Sequence, residues 1–329
     1  MPYRVAILGA GKLGRTHARH WAAIPQAEIV SILDTHLETA QSLGLGTSYD
    51  HFDALLRETQ PDIVDICTPT PSHRAYIEQA AAAGAAIFVE KPLARTMADC
   101  DAIVAAVERT NVPLMAGHVV RYFPAYREAK RVVDSGGVGI PAAIRAERLA
   151  GFPHRGAAQS WYADPAKSGG VVLDAMLHDF DWLRWCFGPV ERVFAQGLHG
   201  RAEHAGLLDY ALVTLRLASG AVAHITGSWA HSGPMRTSFE IAGDGGMVEF
   251  DSATTVPLRL SQTDGAAGPL SESPLVASDD PYYQELRAFT DALDAGAPMP
   301  VTVYDAREGV RIALAALESI ETGKAVTLS

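Results

Sequence analysis

Apolar residues between residue 1 and about residue 120 fall into short runs that alternate with longer amphipathic segments. Each run is nearly all apolar and rich in Val and Ile, which is typical of strands buried on both faces of a sheet. The alanine-rich and leucine-bearing segments between them have helical composition. The predicted strands are Tyr3–Leu8, Glu28–Leu33, Asp62–Cys67, Ala85–Val89 and Pro113–Val119, and the predicted helices are Lys12–Ala23, Thr35–Leu43, Phe52–Glu58, His73–Ala83 and Thr96–Arg109. This βαβα alternation predicts an α/β domain over residues 1–121, a Rossmann doubly wound parallel sheet.

The pattern changes after Tyr122 to longer alternating strands joined by tight turns such as Ser219-Gly220. Successive strands of this kind predict hairpins and therefore an antiparallel sheet. Residues 122–329 are expected to form a catalytic α+β domain. Its predicted strands are Ala142–Leu149, Glu191–Leu198, Leu208–Leu217, Ala221–Trp229, Arg236–Ala242 and Met247–Asp251, its predicted helices are Ala125–Val133, Val171–Cys186, Pro281–Asp294 and Asp305–Thr322, and Thr263–Ser278 is predicted as a loop.

Charge and cysteine content exclude several classes of protein. The formal net charge is -11, with 38 acidic against 27 basic residues, and such a surface repels nucleic acid. Apolar runs as long as a membrane span are absent, so no membrane association is expected. The three cysteines lie far apart, and the sequence has no ligand cluster with metal spacing. We therefore predict a cytoplasmic protein that holds no metal.

A glycine motif separates the first predicted strand from the first predicted helix, with the sequence Gly9-Ala10-Gly11-Lys12-Leu13-Gly14. In a βαβ unit the first glycine permits a tight turn, the second admits a pyrophosphate, and the third lets helix and strand pack closely. The helix N-terminus adds free N–H groups and a partial positive charge. This context favours dinucleotide binding by the whole motif, Lys12 and Leu13 included, over a glycine turn that binds no nucleotide.

Asp34 ends the second predicted strand, about 20 residues after Gly14, where a carboxylate receives hydrogen bonds from the adenine ribose. A carboxylate at this position repels a 2′-phosphate, and no basic residue immediately follows it. The sequence therefore predicts NAD as the cofactor, with NADP disfavoured.

Two further segments carry candidate catalytic residues. Lys91, between Glu90 and Pro92, ends a predicted parallel strand, and ligands bind at the carboxyl ends of such strands. Asp174 and His178 are spaced four apart on a predicted helix, so they share a face, and an imidazole beside a carboxylate can move a proton. Simpler interpretations exist for both: a solvated lysine paired with Glu90, and a core histidine beside a capping aspartate.

Together these segments resemble the glucose–fructose oxidoreductase/inositol dehydrogenase family, Gfo/Idh/MocA. The likeness extends over nearly the whole chain and rests on Gly9–Gly14, Thr68-Pro69-Thr70-Pro71-Ser72-His73, Glu90-Lys91-Pro92, Gly169-Gly170 through Asp174 to His178, and the ending Ala306–Val326. One departure is Ser168, which stands where the family often has the first of three glycines.

The resemblance implies roles for individual residues. Lys91 contacts substrate and the nicotinamide ribose, Asp174 and His178 form the active-site pair, and the histidine accepts the proton in inositol dehydrogenase-like members. Thr68, Pro69, His73, Glu90 and Lys91 join the glycine motif and Asp34 as cofactor-binding candidates. The resemblance also implies that the second domain has a large open, mostly antiparallel sheet that often forms the oligomer interface, hence a homodimer or homotetramer.

The resulting hypothesis is hydride transfer between nicotinamide and a secondary alcohol or ketone of a sugar, inositol or related polyol. Three alternatives stay open: a physiological reductase, an enzyme that uses NAD for transient oxidation, and a non-catalytic nucleotide-sensing regulator. Weaker candidates for substrate binding are Arg121, Tyr122, His154, Trp161 and Tyr283.

Overall fold

A computed structural model describes residues 1–153, 161–200, 207–254, 258–262, 267–269 and 280–328. The chain divides into two compact units. The first consists of Met1–Tyr122 and Leu275–Arg307, and the second of Phe123–Pro274 and Glu308–Ser329. The return of a late segment to the first unit differs from the expected division, in which residues 122–329 formed one domain.

In its described residues, the first unit contains a sheet of six strands. They are β1 Tyr3–Leu8, β2 Ala27–Leu33, β3 Thr47–Tyr49, β4 Ile63–Ile66, β5 Ala86–Glu90 and β6 Leu114–Gly117. All are parallel, in the order β3-β2-β1-β4-β5-β6, which confirms the doubly wound sheet. The three-residue β3 escaped prediction because it is too short to show a pattern. The last strand ends earlier than predicted because the chain enters a 3₁₀ turn at Val119–Tyr122.

Helices connect these strands, and one late helix packs with them. Their bounds are α1 Lys12–Trp21, α2 Leu37–Gln41, α3 Phe52–Thr59, α4 His73–Ala82, α5 Met97–Thr110 and, from the returning segment, α9 Pro281–Ala295. Helix α9 begins where the Asp280 carboxylate accepts a hydrogen bond from the Tyr282 N–H (3.0 Å). It buries Leu286 and Phe289 completely, and Phe289 contacts Phe88 of β5 edge to face. This apolar contact explains why the segment belongs to the first unit.

The described part of the second unit contains a sheet of nine strands. They are β7 Pro141–Leu149, β8 Val190–His199, β9 Leu208–Leu217, β10 Val222–Ser228, β11 Arg236–Gly243, β12 Gly246–Asp251, β13 Leu258–Gln262, β14 Ala267–Pro269 and β15 Val326–Thr327. Their order is β14-β13-β12-β11-β7-β10-β9-β8-β15. Only the β7–β10 pair is parallel among these described strands, so the sheet is mostly antiparallel, as expected.

Alternate side chains of this sheet face opposite ways. Val193 and Val213 are fully buried, whereas Phe194 and Leu212 on the other face are 39% and 40% exposed.

The remaining helices are α6 Pro124–Asp134, α7 Pro165–Ser168, α8 Leu177–Phe187 and α10 Val303–Thr322. Helix α8 follows a π-helical turn at Val172–Met176, and the residues of α10 up to Arg307 belong to the first unit. No helix in the described ranges is long and apolar enough to span a membrane.

Three predictions for the second unit differ from the structure. The helix expected over Val171–Cys186 is divided into the π-helical turn and α8. Strands β13 and β15 were not predicted, the second because two residues carry no pattern. Strand β14 lies inside the predicted loop Thr263–Ser278; the rest of that loop lies outside the described residues.

Candidate active site

The glycine motif forms the turn from β1 to α1 for clear steric reasons. Gly9 has φ +93°, and a Cβ there would lie 2.8 Å from the carbonyl oxygen of Cys67. A Cβ on Gly14 would collide with the carbonyl oxygen of Gly9. Gly11, by contrast, faces open space, with no atom within 4 Å of a Cβ. The first and third glycines thus allow close packing, and the second leaves room for a ligand.

The N-terminus of α1 has the properties of a dinucleotide phosphate site. Gly11 occupies the N-cap, so no side chain binds the first N–H groups, and the first turn contains no acidic residue. Lys12 is exposed and Leu13 is partly exposed beside it. Free N–H groups and the helix dipole favour an anion, so the residues present fit the pyrophosphate of NAD.

Asp34 lies beside this turn, after the end of β2. Its Oδ2 accepts a hydrogen bond from the Ala10 N–H (2.9 Å), and its Oδ1 accepts one from the His36 N–H (3.0 Å). The side chain is 18% exposed. A carboxylate has about four acceptor positions, so Asp34 can still accept hydroxyl protons.

The Thr68–His73 segment forms a tight structure at the carboxyl end of β4. The Thr68 Oγ1 accepts a hydrogen bond from the Ser72 hydroxyl (2.8 Å), and Pro69 is exposed. His73 is fully buried, and its two ring nitrogens lie 2.8 Å from the Thr68 oxygen and 3.0 Å from the Pro92 oxygen. His73 therefore ties this segment to the one that carries Lys91, and its expected part in cofactor binding stays a prediction.

Lys91 follows β5 and is half-buried. Its N–H donates a hydrogen bond to Oε2 of Glu90 (3.1 Å), and the Lys91–Pro92 peptide bond is cis. Glu90 is 4% exposed, and its Oε1 lies 3.1 Å from Nε2 of His17. Glu90 therefore supports the peptide of Lys91, and its expected contact with the cofactor stays a prediction.

Asp174 and His178 lie at the start of the long helical segment in the second unit, and both are half-buried. Asp174 belongs to the π-helical turn, and His178 is the second residue of α8. Residues four apart in a helical segment are surface neighbours, and single π-helical turns are frequent at functional sites. Below the turn, Met176 packs so tightly on Gly227 that any side chain at Gly227 would collide with it.

Ser168, the departure from the glycine triplet, holds the approach to this turn. Its hydroxyl donates to the Tyr162 oxygen (3.0 Å) and accepts from the Gly170 N–H (3.1 Å), and the side chain is buried. Gly170 has φ +65°, and a Cβ there would lie 2.9 Å from the Leu208 oxygen, so glycine is required at that position.

A buried ion pair next to His178 was not predicted from the sequence. Arg148 of β7 donates two hydrogen bonds to Asp179, each 2.8 Å long, and both side chains are less than 10% exposed. Although burial opposes its charge, Asp179 raises the pKa of Arg148. The sequence of β7 did indicate such a pair, because Arg148 lies on the same buried face of the strand as Ile144 and Ala146. A charge on an apolar phase indicates a buried partner.

The weaker substrate-binding candidates lie in different surroundings. Arg121 is buried, and its Nη1 donates to the Pro300 oxygen (3.3 Å). Tyr122 is half-buried. Trp161 is partly exposed and lies 4.1 Å from Tyr162 between ring centroids. Tyr283 contacts the His20 ring edge to face. His154 lies outside the described residues.

His17 is the main titratable residue that the sequence did not single out. Its ring lies among acidic side chains, and two groups of metal-ligand type include it: His17, Asp65 and Cys67, and His17, Glu90 and Glu285. The sequence lacked this signal because the four elements concerned meet only in the folded sheet.

Known proteins resemble the chain over both units. The family model described as "Oxidoreductase family, NAD-binding Rossmann fold" matches residues 3–118, and the model "GFO/IDH/MocA C-terminal domain" matches residues 126–249. The chain is 29% identical to myo-inositol 2-dehydrogenase of Thermotoga maritima, with 99% of this chain and 98% of that protein covered. It is 35% identical to D-apiose dehydrogenase of Paraburkholderia graminis, with 79% and 68% covered.

A solved structure gives the same result. The crystal structure of a myo-inositol dehydrogenase from Corynebacterium glutamicum has a TM-score of 0.85 and 26% identity, with 100% of this chain and 99% of that chain covered. The fold and the glycine turn therefore define an NAD-binding oxidoreductase. The chain belongs to the GFO/IDH/MocA family of oxidoreductases.

Proposed function

We propose that this oxidoreductase is an NAD-dependent dehydrogenase of a secondary alcohol on an inositol, a sugar or a related polyol. The observation that supports this most directly is the helical turn carrying Asp174 and His178, which are both half-buried. His178 directly precedes Asp179, which forms the buried ion pair with Arg148. A turn supported in this way holds a carboxylate and an imidazole in fixed directions, as proton transfer requires. The inositol and D-apiose dehydrogenases that the chain resembles favour the same substrate class.

In the proposed reaction the alcohol loses two hydrogens, one as a proton from the hydroxyl group and one as a hydride from the carbinol carbon. His178 removes the hydroxyl proton, and Asp174 orients the imidazole. Lys91 stabilises the negative charge that develops on the oxygen. When bound at the glycine turn, NAD would supply the acceptor for the hydride of the carbinol carbon, whose oxidation leaves a ketone. The reverse reaction uses the same groups, with His178 returning the proton.

Asp34 supports NAD over NADP in this proposal. Its carboxylate lies at the end of β2 beside the glycine turn, where it would oppose a 2′-phosphate by like-charge repulsion. An Asp34→Asn variant should shift the ratio of kcat/KM for NAD and NADP by about tenfold towards NADP, or about 1.4 kcal/mol. An unchanged ratio would remove Asp34 from the cofactor site.

The test is nicotinamide absorbance with NAD or NADP and a panel of inositols, aldoses and amino sugars. Reduction of NAD in the presence of one class of compound supports the proposal and identifies the substrate class. Tightly retained NAD without net reduction would instead favour the transient-oxidation enzyme, and reduction of the ketones alone would favour a reductase. Nucleotide binding without turnover in either direction would favour the sensing regulator.

The residue roles are tested with Lys91→Met and His178→Asn. The His178 variant should lose about 10²–10⁴-fold in kcat, the usual contribution of acid–base catalysis, and Lys91→Met should also lose turnover, while both retain NAD affinity. Lys324→Met and His224→Asn are matched controls on exposed positions. Equal losses of turnover and NAD affinity would contradict the assigned roles.

The proposal also covers assembly and location. The exposed side chains Phe194, Leu198 and Leu212 make the open face of the sheet a suitable surface for a homodimer or homotetramer. Mass measurement by light scattering, with Leu212→Arg as the disrupting variant, tests this. Among the described residues, Cys67, Cys100 and Cys186 form no disulfide bond, which supports a cytoplasmic location. The proposal includes no nucleic acid or membrane partner.

A further inference from the structure

The first unit contains a buried group of titratable side chains that the proposed chemistry does not use directly. His17 of α1, Asp65 of β4, Glu90 of β5 and Glu285 of α9 are each at most 4% exposed. We call these four residues the acid–imidazole cluster. Three acids and one imidazole in an apolar interior need protons or hydrogen bonds to offset the cost of burial.

The imidazole lies between two of the acids. His17 Nδ1 is 2.9 Å from Asp65 Oδ2, and His17 Nε2 is 3.1 Å from Glu90 Oε1. Trp21 Nε1 donates a further hydrogen bond to Asp65 (2.7 Å). Where each ring nitrogen donates to a carboxylate oxygen, both nitrogens carry hydrogen and the ring is an imidazolium. Burial alone would lower the pKa of His17, but the adjacent Asp65 raises it well above the ordinary value.

Glu285 is the acid for which this arrangement leaves no counter-charge. It is fully buried, and neither carboxyl oxygen has a hydrogen-bond partner among the described residues. Ligand-type atoms of His17, Glu90 and Glu285 lie within 4.8 Å of one another. Burial first, and then the charge of Glu90, raise the pKa of Glu285 well above its ordinary value.

Other titratable groups facing the cluster do not supply that counter-charge. Burial raises the pKa of the Tyr282 hydroxyl and of the Cys67 thiol, so both stay neutral. Asp280 adds another acid at the start of α9. Burial lowers the pKa of His20, which lies 3.4 Å from Asp280. A proton on Glu285 is therefore the simplest way to limit the buried negative charge.

The cluster reaches Lys91 through one side chain. Glu90 uses Oε1 for His17 and Oε2 for the N–H of Lys91. The imidazolium therefore fixes the orientation in which the Glu90 carboxyl group accepts from the peptide. An uncompensated charge on Glu285 would compete for that imidazolium.

We propose that the acid–imidazole cluster holds two protons, one on His17 and one on Glu285, and thereby positions Lys91 through the Glu90 carboxylate. His17 and Glu285 are then positioning residues. The link to Lys91 rests on the proposed function, whereas the two held protons do not.

The retained proton on Glu285 has a measurable consequence for stability. A glutamate has an unfolded-state pKa of about 4.3, so at neutral pH the unfolded chain has released a proton that the folded chain keeps. The resulting stability is complete below that value and is lost as pH rises towards the folded-state pKa. Each such proton changes the folding equilibrium constant tenfold per pH unit.

The decisive experiment is urea unfolding from about pH 5.5 to about pH 8.5 for wild type and Glu285→Gln. Gln is neutral and of equal size, so the folding constant of wild type relative to Glu285→Gln should fall as pH rises over this range, by at most about tenfold per pH unit. Glu108→Gln, an exposed site that accepts from the Tyr304 hydroxyl, is the control and should parallel wild type. A Glu285→Gln curve parallel to wild type would overturn the proposal.

Two further readouts address His17 and Lys91. Nitrogen NMR of histidine-labelled protein at about pH 8, above the ordinary histidine pKa of about 6.5, should show an imidazolium signal that His17→Gln removes. The same variant should lose about tenfold in kcat with NAD affinity nearly unchanged. If it does not fold, the Glu285→Gln slope still decides. A neutral His17, or a stoichiometric metal ion in the purified protein that Glu285→Gln removes, would contradict the held protons.

If no hydride transfer is found with any substrate, the slope and the NMR signal still test the cluster. Conversely, a parallel Glu285→Gln curve leaves the dehydrogenase proposal intact.

Discussion

In each unit, a half-buried candidate catalytic residue adjoins a group of buried charged side chains, but the two groups differ in composition. Behind His178, Arg148 and Asp179 form a bidentate pair in which each charge meets its opposite. Behind Lys91, the acid–imidazole cluster has more acids than bases, and Glu285 lacks a hydrogen-bond partner in the described part of the chain. The charges of the Arg148–Asp179 pair balance each other, whereas the acid–imidazole cluster needs bound protons to limit its negative charge.

This difference predicts different responses to pH and to mutation. A matched ion pair binds no extra proton at neutral pH, so it fixes geometry without adding a pH dependence. A cluster that holds protons takes them up on folding, and its stability therefore declines as pH rises. A buried ion pair that does not titrate and a buried cluster that holds protons thus occur in one chain, each next to a proposed catalytic residue.

The largest expected effect comes from breaking the matched pair. Arg148→Met leaves the Asp179 charge buried and alone, which should reduce the free energy of unfolding by about 3–5 kcal/mol in urea denaturation. Arg148→Met combined with Asp179→Leu removes both charges and should recover most of the loss. Arg236→Met, which breaks a partly exposed pair with Asp251, is the control and should lose much less.

These variants separate two explanations of the pair. If Arg148→Met is no worse than Arg236→Met, the buried pair does not support the second unit. If the double variant stays as unstable as the single one, the loss comes from packing around the Arg148 stem and not from the unpaired charge.

A smaller difference in unfolding free energy is expected when one tryptophan hydrogen bond is removed from each unit. Trp21 donates to the Asp65 carboxylate at 2.7 Å, whereas Trp182 donates to the neutral Tyr126 oxygen at 3.3 Å, and both indoles are fully buried. Replacement by Phe removes the same atoms from each site. Trp21→Phe should therefore cost about 1 kcal/mol more than Trp182→Phe in unfolding free energy, because bonds to charged groups are stronger. Equal losses would show that Asp65 does not depend on this donor.

The fold was largely predictable from the sequence because its elements are locally encoded. Nearly all-apolar runs marked the long parallel strands, and turn residues marked the antiparallel ones. Elements of two or three residues, such as β3 and β15, carry too little pattern to be recognised. The packing of α9 with the first unit was also hidden, since it depends on Phe88 and Phe289, which are distant in sequence.

The candidate site was predictable where a motif carries it and obscure where folding assembles it. The glycine turn, Lys91 and the Asp174–His178 spacing could be identified from the sequence. His17, Asp65 and Glu285 come from three separate elements with no common spacing, so only the folded sheet brings them to Glu90. Supporting residues are generally harder to predict, because their partners are remote in sequence.

The smallest expected effect tests whether the second unit's support is independent of pH. Ser168→Ala removes a hydroxyl that links the Tyr162 oxygen and the Gly170 N–H, and buried neutral bonds of this kind contribute about 1 kcal/mol. Ser219→Ala, in an exposed turn, is the control. Because no titrating group takes part, the Ser168→Ala loss should be equal at about pH 6 and about pH 8.5, unlike that of Glu285→Gln. A loss that changes with pH would mean that the second unit also holds a proton, and the contrast between the two supports would fail.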